Sequence, residues 1–260
     1  MTGYNTRQQN MEKAHGVNGE DWNALIKAID PKQGERILDL MGGDSAVASK
    51  LYEYVSKQNM NLNLSVMDSF PKQLERAPAY LEKILGDVRA MPSESGTYDK
   101  IVVKMGFHEL PLIEQQKSVK EVYRTLKPEG KLVTWMVGLE NPAEQDAFRK
   151  FIREKDRIAG FNEFVENRYF PTIQETRNYL ANAGFEDTQE VYKNTSKMNS
   201  LARLNGDFAG DKTKLERWHE YIRENISEFK QYLSAKDLGD SIEINCPVCI
   251  LKAEKVKGGK

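Results

Sequence analysis

Between Gly34 and Val137 the chain alternates short apolar runs with amphipathic stretches, and this alternation narrows the fold more than any other feature. Gly34 to Leu40 (GERILDL) reads as a short buried strand, and Ser45 to Lys57 (SAVASKLYEYVSK) spaces its apolar residues as an amphipathic helix does. A second strand is expected at Leu62 to Met67, a helix at Pro71 to Ile84, and a short extended piece at Ile84 to Asp87. A strand at Lys100 to Met105 follows the turn-rich SESGTYD; then come a helix from Ile113 to Leu126, a Lys-Pro-Glu-Gly turn, and a strand at Lys131 to Val137. Strands alternating with helices at this spacing predict an α/β fold: a doubly wound, mostly parallel sheet with helices on both faces and right-handed crossovers.

Beyond Val137 the rhythm changes. Pro142 to Ile158 is expected to be helical, Phe161 to Phe170 is rich in aromatics, and a helix from Ile173 to Ala183 ends with Gly184 at C′. Phe185 to Tyr192 reads as extended. A charged, helix-prone insert runs from about Ser196 to Ala235, ahead of a last apolar strand at Glu243 to Lys252. The expected organisation is a lid or helical segment at residues 1–30, one cofactor-binding domain at 31–255 carrying the insert at 196–235, and a tail at 256–260.

A length of 260 residues suffices for one substantial core. A net charge of −1 supplies no basic footprint for a nucleic-acid backbone, so no nucleic-acid partner is expected. The opening residues lack the apolar stretch of a secretory signal and no run is long enough for a membrane span, which makes the cytoplasm the expected location. The two cysteines, Cys246 and Cys249, have Cys-x-x-Cys spacing without a second pair. They are read as reduced residues on a buried strand, and no metal site is expected.

Ligands of open α/β sheets bind beyond the carboxyl ends of the strands. The first strand-to-helix turn here is Asp39-Leu40-Met41-Gly42-Gly43-Asp44-Ser45-Ala46, whose small residues let a helix N-terminus approach a cofactor closely. Asp68, at the end of the second strand and followed by Ser69, stands where nucleoside sites place a carboxylate on ribose hydroxyls. Asp87, in Gly86-Asp87-Val88, is placed to meet the exocyclic amine of an adenine.

The series ILDLMGGDSAVASKL, LSVMDSF, LGDV, YDKIVVKMGFHEL and EVYRTLKPEGKLV resembles the successive motifs of class I S-adenosylmethionine (SAM)-dependent methyltransferases, in order, over roughly Gly34 to Val137. FHEL followed by EVYRTLKPEGKLV is similar to the small-molecule branch that includes the quinone C-methyltransferases of the ubiquinone and menaquinone pathways. The resemblance implies a Rossmann-like, seven-stranded sheet with an antiparallel seventh strand and helical insertions. It also implies SAM as cofactor, S-adenosylhomocysteine (SAH) as product, a small-molecule acceptor methylated on O, N or C, and roles for Asp39, Gly43, Asp68 and Asp87 in holding SAM. Gly42, Ser69, Val88, Lys104 and Met105 complete the expected cofactor site in the described loops and strand ends. The sequence departs from the family at the glycine loop, where Met41 and Ser45 stand in the first and third glycine positions, so the methionine moiety of SAM is expected either to sit differently or to bind weakly.

His108 is the candidate base, because an imidazole changes charge near neutral pH; the alternative is that His108 and Glu109 shape the cofactor pocket. The N-terminal segment either closes over the cofactor, with Arg7 pairing the SAM carboxylate and Tyr4 packing beside it, or forms a packed helix with His15 and Trp22. Phe161, Phe164, Tyr169 and Phe170, with Trp135, either wall an apolar acceptor pocket or are plain core. The insert is expected on the ligand side as a substrate-specificity or homodimerisation element. A second functional reading keeps the fold and the cofactor but omits methyl transfer.

Overall fold

The first five strands all pair in parallel with one another, and the burial of β1 (Arg36–Leu40) and β4 (Tyr98–Lys104) on both faces explains the apolar runs within them. The computed structural model describes residues 18–256. Beside β1 and β4 stand β2 (Asn63–Asp68), β3 (Glu82–Leu85) and β5 (Leu126–Val137), with β6 (Phe185–Asn199), the two-residue β7 (Lys236–Asp237) and β8 (Ile242–Lys255) following in the chain. The sheet order is β3-β2-β1-β4-β5-β8-β6, and β7 pairs antiparallel with β8. Parallel pairing joins β1 to β2, β2 to β3, β1 to β4 and β4 to β5. Strand order therefore reverses between β1 and β4, the switch point where such sheets open a crevice. The expected seven strands are present and the short β7 makes an eighth.

The described residues form two compact units. A sheet unit comprises Asn23–Met136, Gln174–Tyr192 and the chain from Cys249; a helical unit comprises the chain up to Trp22, Val137–Ile173 and Lys193–Val248. The sheet unit carries α2 (Ala46–Ser56), α3 (Pro71–Arg76), α4 (Leu112–Thr125) and most of α7 (Ile173–Asn182). Its core joins Leu38, Leu40, Ile101 and Val103 of the central strands to Val119 and Val122 of α4 and to Leu180 and Phe185. Gly184 sits after α7 at φ 102°, the left-handed C′ position expected of it.

The helical unit holds α5 (Pro142–Ala159), α6 (Asn162–Asn167), α8 (Lys212–Glu224) and α9 (Ile226–Leu233). Phe148 meets Phe170 edge to face at 5.1 Å, and Phe151 packs on Trp218 at 4.8 Å and on Phe229 at 5.6 Å. The chain's first described helix, α1 (Gly19–Ile29), is capped reciprocally. The Asn18 side chain accepts from the Glu20 and Asp21 amides, and Asp21 accepts from the Asn18 amide at 2.9 Å.

Three expected boundaries are corrected. The helix expected to reach Ile84 stops at Arg76, because Pro78 forces Ala77 into an extended conformation (φ −64°, ψ 143°). The Lys-Pro-Glu-Gly turn lies inside β5 as a bulge, between the pairs Tyr98 with Leu126 and Lys100 with Lys131. The insert begins later than Ser196, because β6 continues through Asn199. Cys246 and Cys249 are buried and are not joined in a disulfide, as read from sequence, and burial pushes the Cys246 thiol up to about 11. No helix among the described residues is long and apolar enough to cross a membrane.

Candidate functional site

The parallel registers bring four strand ends to one edge of the sheet unit. Leu40 stands beside Met67, Asp68 beside Leu85, and Asp39 beside Val102. The segments that follow therefore emerge together: Met41 to Ser45 after β1, Ser69 and Phe70 after β2, Gly86 to Arg89 after β3, and Met105 to Glu109 after β4. Left-handed backbone concentrates here, with Met41 at φ 56°, Gly43 at 57°, Ser45 at 72° and Met105 at 54°. Non-glycine residues in that region carry strain, and such residues cluster at functional sites.

Asp68 is the carboxylate this edge presents most directly. Its Oδ2 accepts from the Gly43 amide and its Oδ1 from the Phe70 amide, each at 2.9 Å. Burial raises its pKa, and the amides of Phe70, Gly43 and Ser69 oppose that rise by stabilising the anion. A carboxylate has about four lone-pair sites, so Asp68 is held in place with capacity left for further donors. A ribose diol supplies two. Ser69 itself is exposed at the rim.

Asp39 is differently placed. It is only 2% exposed, and its Oδ2 accepts from the Ala48 amide of α2 at 3.0 Å. Burial pushes it up to about 7, against the pull of the Ala48 amide and the Lys104 charge. The side chain thus ties the N-terminal turns of α2 to the end of β1. Gly42 lies over it, where a Cβ would be 2.7 Å from the Asp39 Cγ and 2.8 Å from Val66, so only glycine fits. Ser45 is buried at the start of α2; its hydroxyl donates to the Asp44 carbonyl at 2.5 Å and meets Ser49 at 3.3 Å.

Asp87 faces Arg89. The guanidinium donates from Nε and Nη2 to both carboxylate oxygens at 2.5 to 3.0 Å, the Arg89 amide adds a bond at 2.8 Å, and together they hold Asp87 below the usual carboxylate range. Arg89 Nη1 is also 3.7 Å from Glu114 of α4. Val88 is buried in the core of the sheet unit, which leaves its backbone as the group next to Asp87. Lys104 lies with its ammonium 5.1 Å from the Trp135 ring centre, and the Met105 amide donates to the Trp135 carbonyl at 2.8 Å. His108 sits on a single 3₁₀ turn, Phe107–Glu109, with Nε2 at 3.4 Å from Glu109 Oε1.

The sequence-based candidates Asp39, Gly42, Gly43, Asp68, Ser69, Asp87, Val88, Lys104, Met105 and His108 thus follow neighbouring strand ends of one unit. Tyr4 and Arg7, with His15, lie outside the described residues. Phe164, Phe170 and Trp135 are buried, so the core reading holds for them. Two residues that sequence reasoning missed are Arg89, on Asp87, and Gly106, whose place directly after β4 in KMGFHEL was the available signal. Among the described residues no group of His, Cys, Asp or Glu is arranged to hold a metal ion.

A strand-end carboxylate held by loop amides, beside a loop closed to any Cβ at Gly42, suits a nucleoside cofactor. The model of the ubiE/COQ5 methyltransferase family matches residues 17–197, well over half of the chain. The chain belongs to this family. It is a SAM-dependent methyltransferase of small molecules, and the reading without methyl transfer is not favoured. It is 24% identical over 183 residues to the ubiquinone/menaquinone biosynthesis C-methyltransferase of Ruegeria sp. (strain TM1040), covering 64% of this chain and 72% of that one. In fold it matches a candidate methyltransferase of Bacillus halodurans with a TM-score of 0.74 at 18% identity, covering 92% of this chain and all of that one. It also matches phosphoethanolamine N-methyltransferase 2 of Haemonchus contortus, solved with SAH, with a TM-score of 0.59 at 16% identity, covering 94% of this chain and 54% of that one.

Proposed function

We propose that the strand-end cleft of the sheet unit holds SAM, and that the acceptor is a reduced quinone-type ring methylated on carbon. The observation that carries the cofactor assignment is Asp68, fixed by the Gly43 and Phe70 amides with acceptor capacity to spare for two ribose hydroxyls. Asp87, followed by the buried Val88, is assigned to the adenine side, and the Gly42-Gly43 backbone to the methionine side, with Lys104 and Met105 on the neighbouring strand end. Bound SAM supplies a methyl group already activated on its sulfonium.

The residues of the chain orient the partners and manage a proton. His108 accepts the proton of a ring hydroxyl, which leaves negative charge in the ring and makes a ring carbon nucleophilic. Glu109, at 3.4 Å, stabilises the imidazolium that results. The acceptor class rests on the relatives, which are named for ubiquinone and menaquinone C-methylation. The absence of a membrane-crossing helix among the described residues is compatible with a cytoplasmic enzyme, the location we assign.

Calorimetric titration with SAM and with SAH tests the cofactor site. Saturable one-to-one binding is expected, and Asp68→Ala is expected to weaken SAM by about a hundredfold, the loss of two charge-assisted hydrogen bonds at roughly 1.5 kcal/mol each. SAH release is then followed with a reduced short-chain ubiquinone or menaquinone precursor lacking the ring methyl group. His108→Gln is expected to lower kcat by about 10²-fold or more without changing the Kd for SAM. Turnover with phenolic or amine acceptors but none with such quinols would refute the carbon-acceptor assignment.

A further inference from the structure

Met41 occupies the position where the cofactor loop of the family carries its first glycine, and it does so at φ 56°. A side chain there has to go somewhere, and the structure shows where. Met41 is partly buried against the core of the sheet unit, and a Cβ built on Gly106 would lie 2.9 Å from the Met41 Cβ and 3.0 Å from its Sδ. The methionine side chain therefore rests on the bare backbone of Gly106, in the turn between β4 and His108. Each residue accounts for the other: glycine is missing at 41, and at 106 anything larger than glycine would strike Met41.

The two backbones are strained on both sides of this contact, because Met105, next to Gly106, also has positive φ (54°). Left-handed conformations of non-glycine residues persist only where their surroundings hold them. The packing of Met41 on Gly106 is such a restraint. It couples the loop after β1 to the turn after β4, the two segments assigned above to the donor and to the base.

We propose that Met41 is a positioning residue, which fixes the cofactor loop by packing on Gly106 and so replaces the missing glycine with an anchored side chain. The proposal rests on the reading of this cleft as the SAM site. It predicts that the departure from the family's glycine pattern strengthens SAM binding in this chain, since a preorganised loop has less freedom to lose when the ligand arrives.

A double-mutant cycle read by calorimetry with SAM tests it, with thermal unfolding run on each variant to confirm that it is folded at the titration temperature. Met41→Ala is expected to raise the Kd for SAM on the order of tenfold, and Met41→Leu, which keeps the bulk, to stay within about threefold of the parent. Gly106→Ala is expected to weaken SAM on the order of tenfold in the Met41 background but by no more than about threefold beside Met41→Gly, where the two close approaches to Met41 are gone and the 3.0 Å approach to Val103 remains. A Met41→Ala protein that binds SAM like the parent, or Gly106→Ala effects that are the same in both backgrounds, would overturn the proposal. Asp68→Ala separates the two claims. Loss of binding in Asp68→Ala alongside neutral Met41 variants defeats only the role of Met41, whereas a parent protein that binds no SAM defeats the reading of the cleft itself.

Discussion

The carboxylates at and just beyond the strand ends differ in their surroundings. Asp68 is half-buried and held by amides, Asp87 is paired with Arg89, and Asp39 is sealed beneath Gly42. Strand-end placement and the family resemblance together singled out all three, which lie at or just after the end of a parallel strand; neither could show which way each side chain turns, since that depends on partners such as Ala48 and Arg89 brought in by the fold. Asp39 has a consequence for stability. Its pKa is 3.8 ordinarily and about 7 in the folded protein. Between those values the unfolded chain has released the proton while the folded protein keeps it, so stability falls as pH rises through this window and levels off above it. Asp39→Asn keeps an oxygen for the Ala48 amide but does not titrate. Relative to the parent it should therefore gain stability from about pH 4.5 to about pH 8, by roughly 4 kcal/mol at most, at ~1.4 kcal/mol per pH unit over some three units. Urea denaturation without cofactor at both ends of the range measures this, and a difference between the two proteins that does not change with pH would refute it.

At the scale of elements, most strands and helices from β1 to β5 were legible because short apolar runs, buried on both faces, alternate there with stretches of 3.6-residue periodicity. The failures have local causes. Pro78 was visible in the sequence, and it ends α3 by restricting Ala77; the helical spacing beyond it is carried by residues that become β3. Lys127 to Gly130 has the composition of a turn, but pairing on both sides absorbs it as a bulge with Glu129 at φ 65°. The start of α5 shows the opposite case, where local signals suffice. Asn141 accepts from the amides of Ala143 and Glu144 at 3.1 and 3.0 Å, Pro142 follows at N1, and Glu144 reaches back to the Glu140 amide at 2.9 Å. Asn141→Ala should cost about 1 kcal/mol of stability, while Asn141→Asp or Asn141→Ser should be nearly neutral. Chemical denaturation of the three variants checks the ranking, and an alanine variant as stable as the serine one would mean that the cap contributes nothing.

At the scale of the molecule, the family match ends at residue 197, inside β6, so α8, α9 and β8 lie beyond it. What this additional chain brings to the helical unit is aromatic packing and a buried ionic network. Lys155 of α5 donates to Asp156 at 2.5 Å and to Asp207 at 3.0 Å, Arg168 pairs with Asp156 at 2.8 Å, and Arg203 approaches Asp207 at 3.4 Å. All five side chains are nearly inaccessible to solvent. Arg203 and Asp207 belong to the segment after β6, so the network fastens that segment to the helix before it. Buried charges taken from water are tolerated only while paired, and removing one partner leaves the others uncompensated. Lys155→Met preserves length and apolar volume but strips both aspartates of their shared cation, and it should cost about 3–5 kcal/mol. Hydrogen exchange gives the decisive readout. Amides of α5 and α8 should lose protection in this variant while those of β1 and β4 keep theirs, and the Kd for SAM should stay within about threefold of the parent, because every residue assigned to the cofactor lies in the sheet unit or outside the described residues. Uniform loss of protection across both units would instead show that the network supports the whole chain as a single cooperative structure.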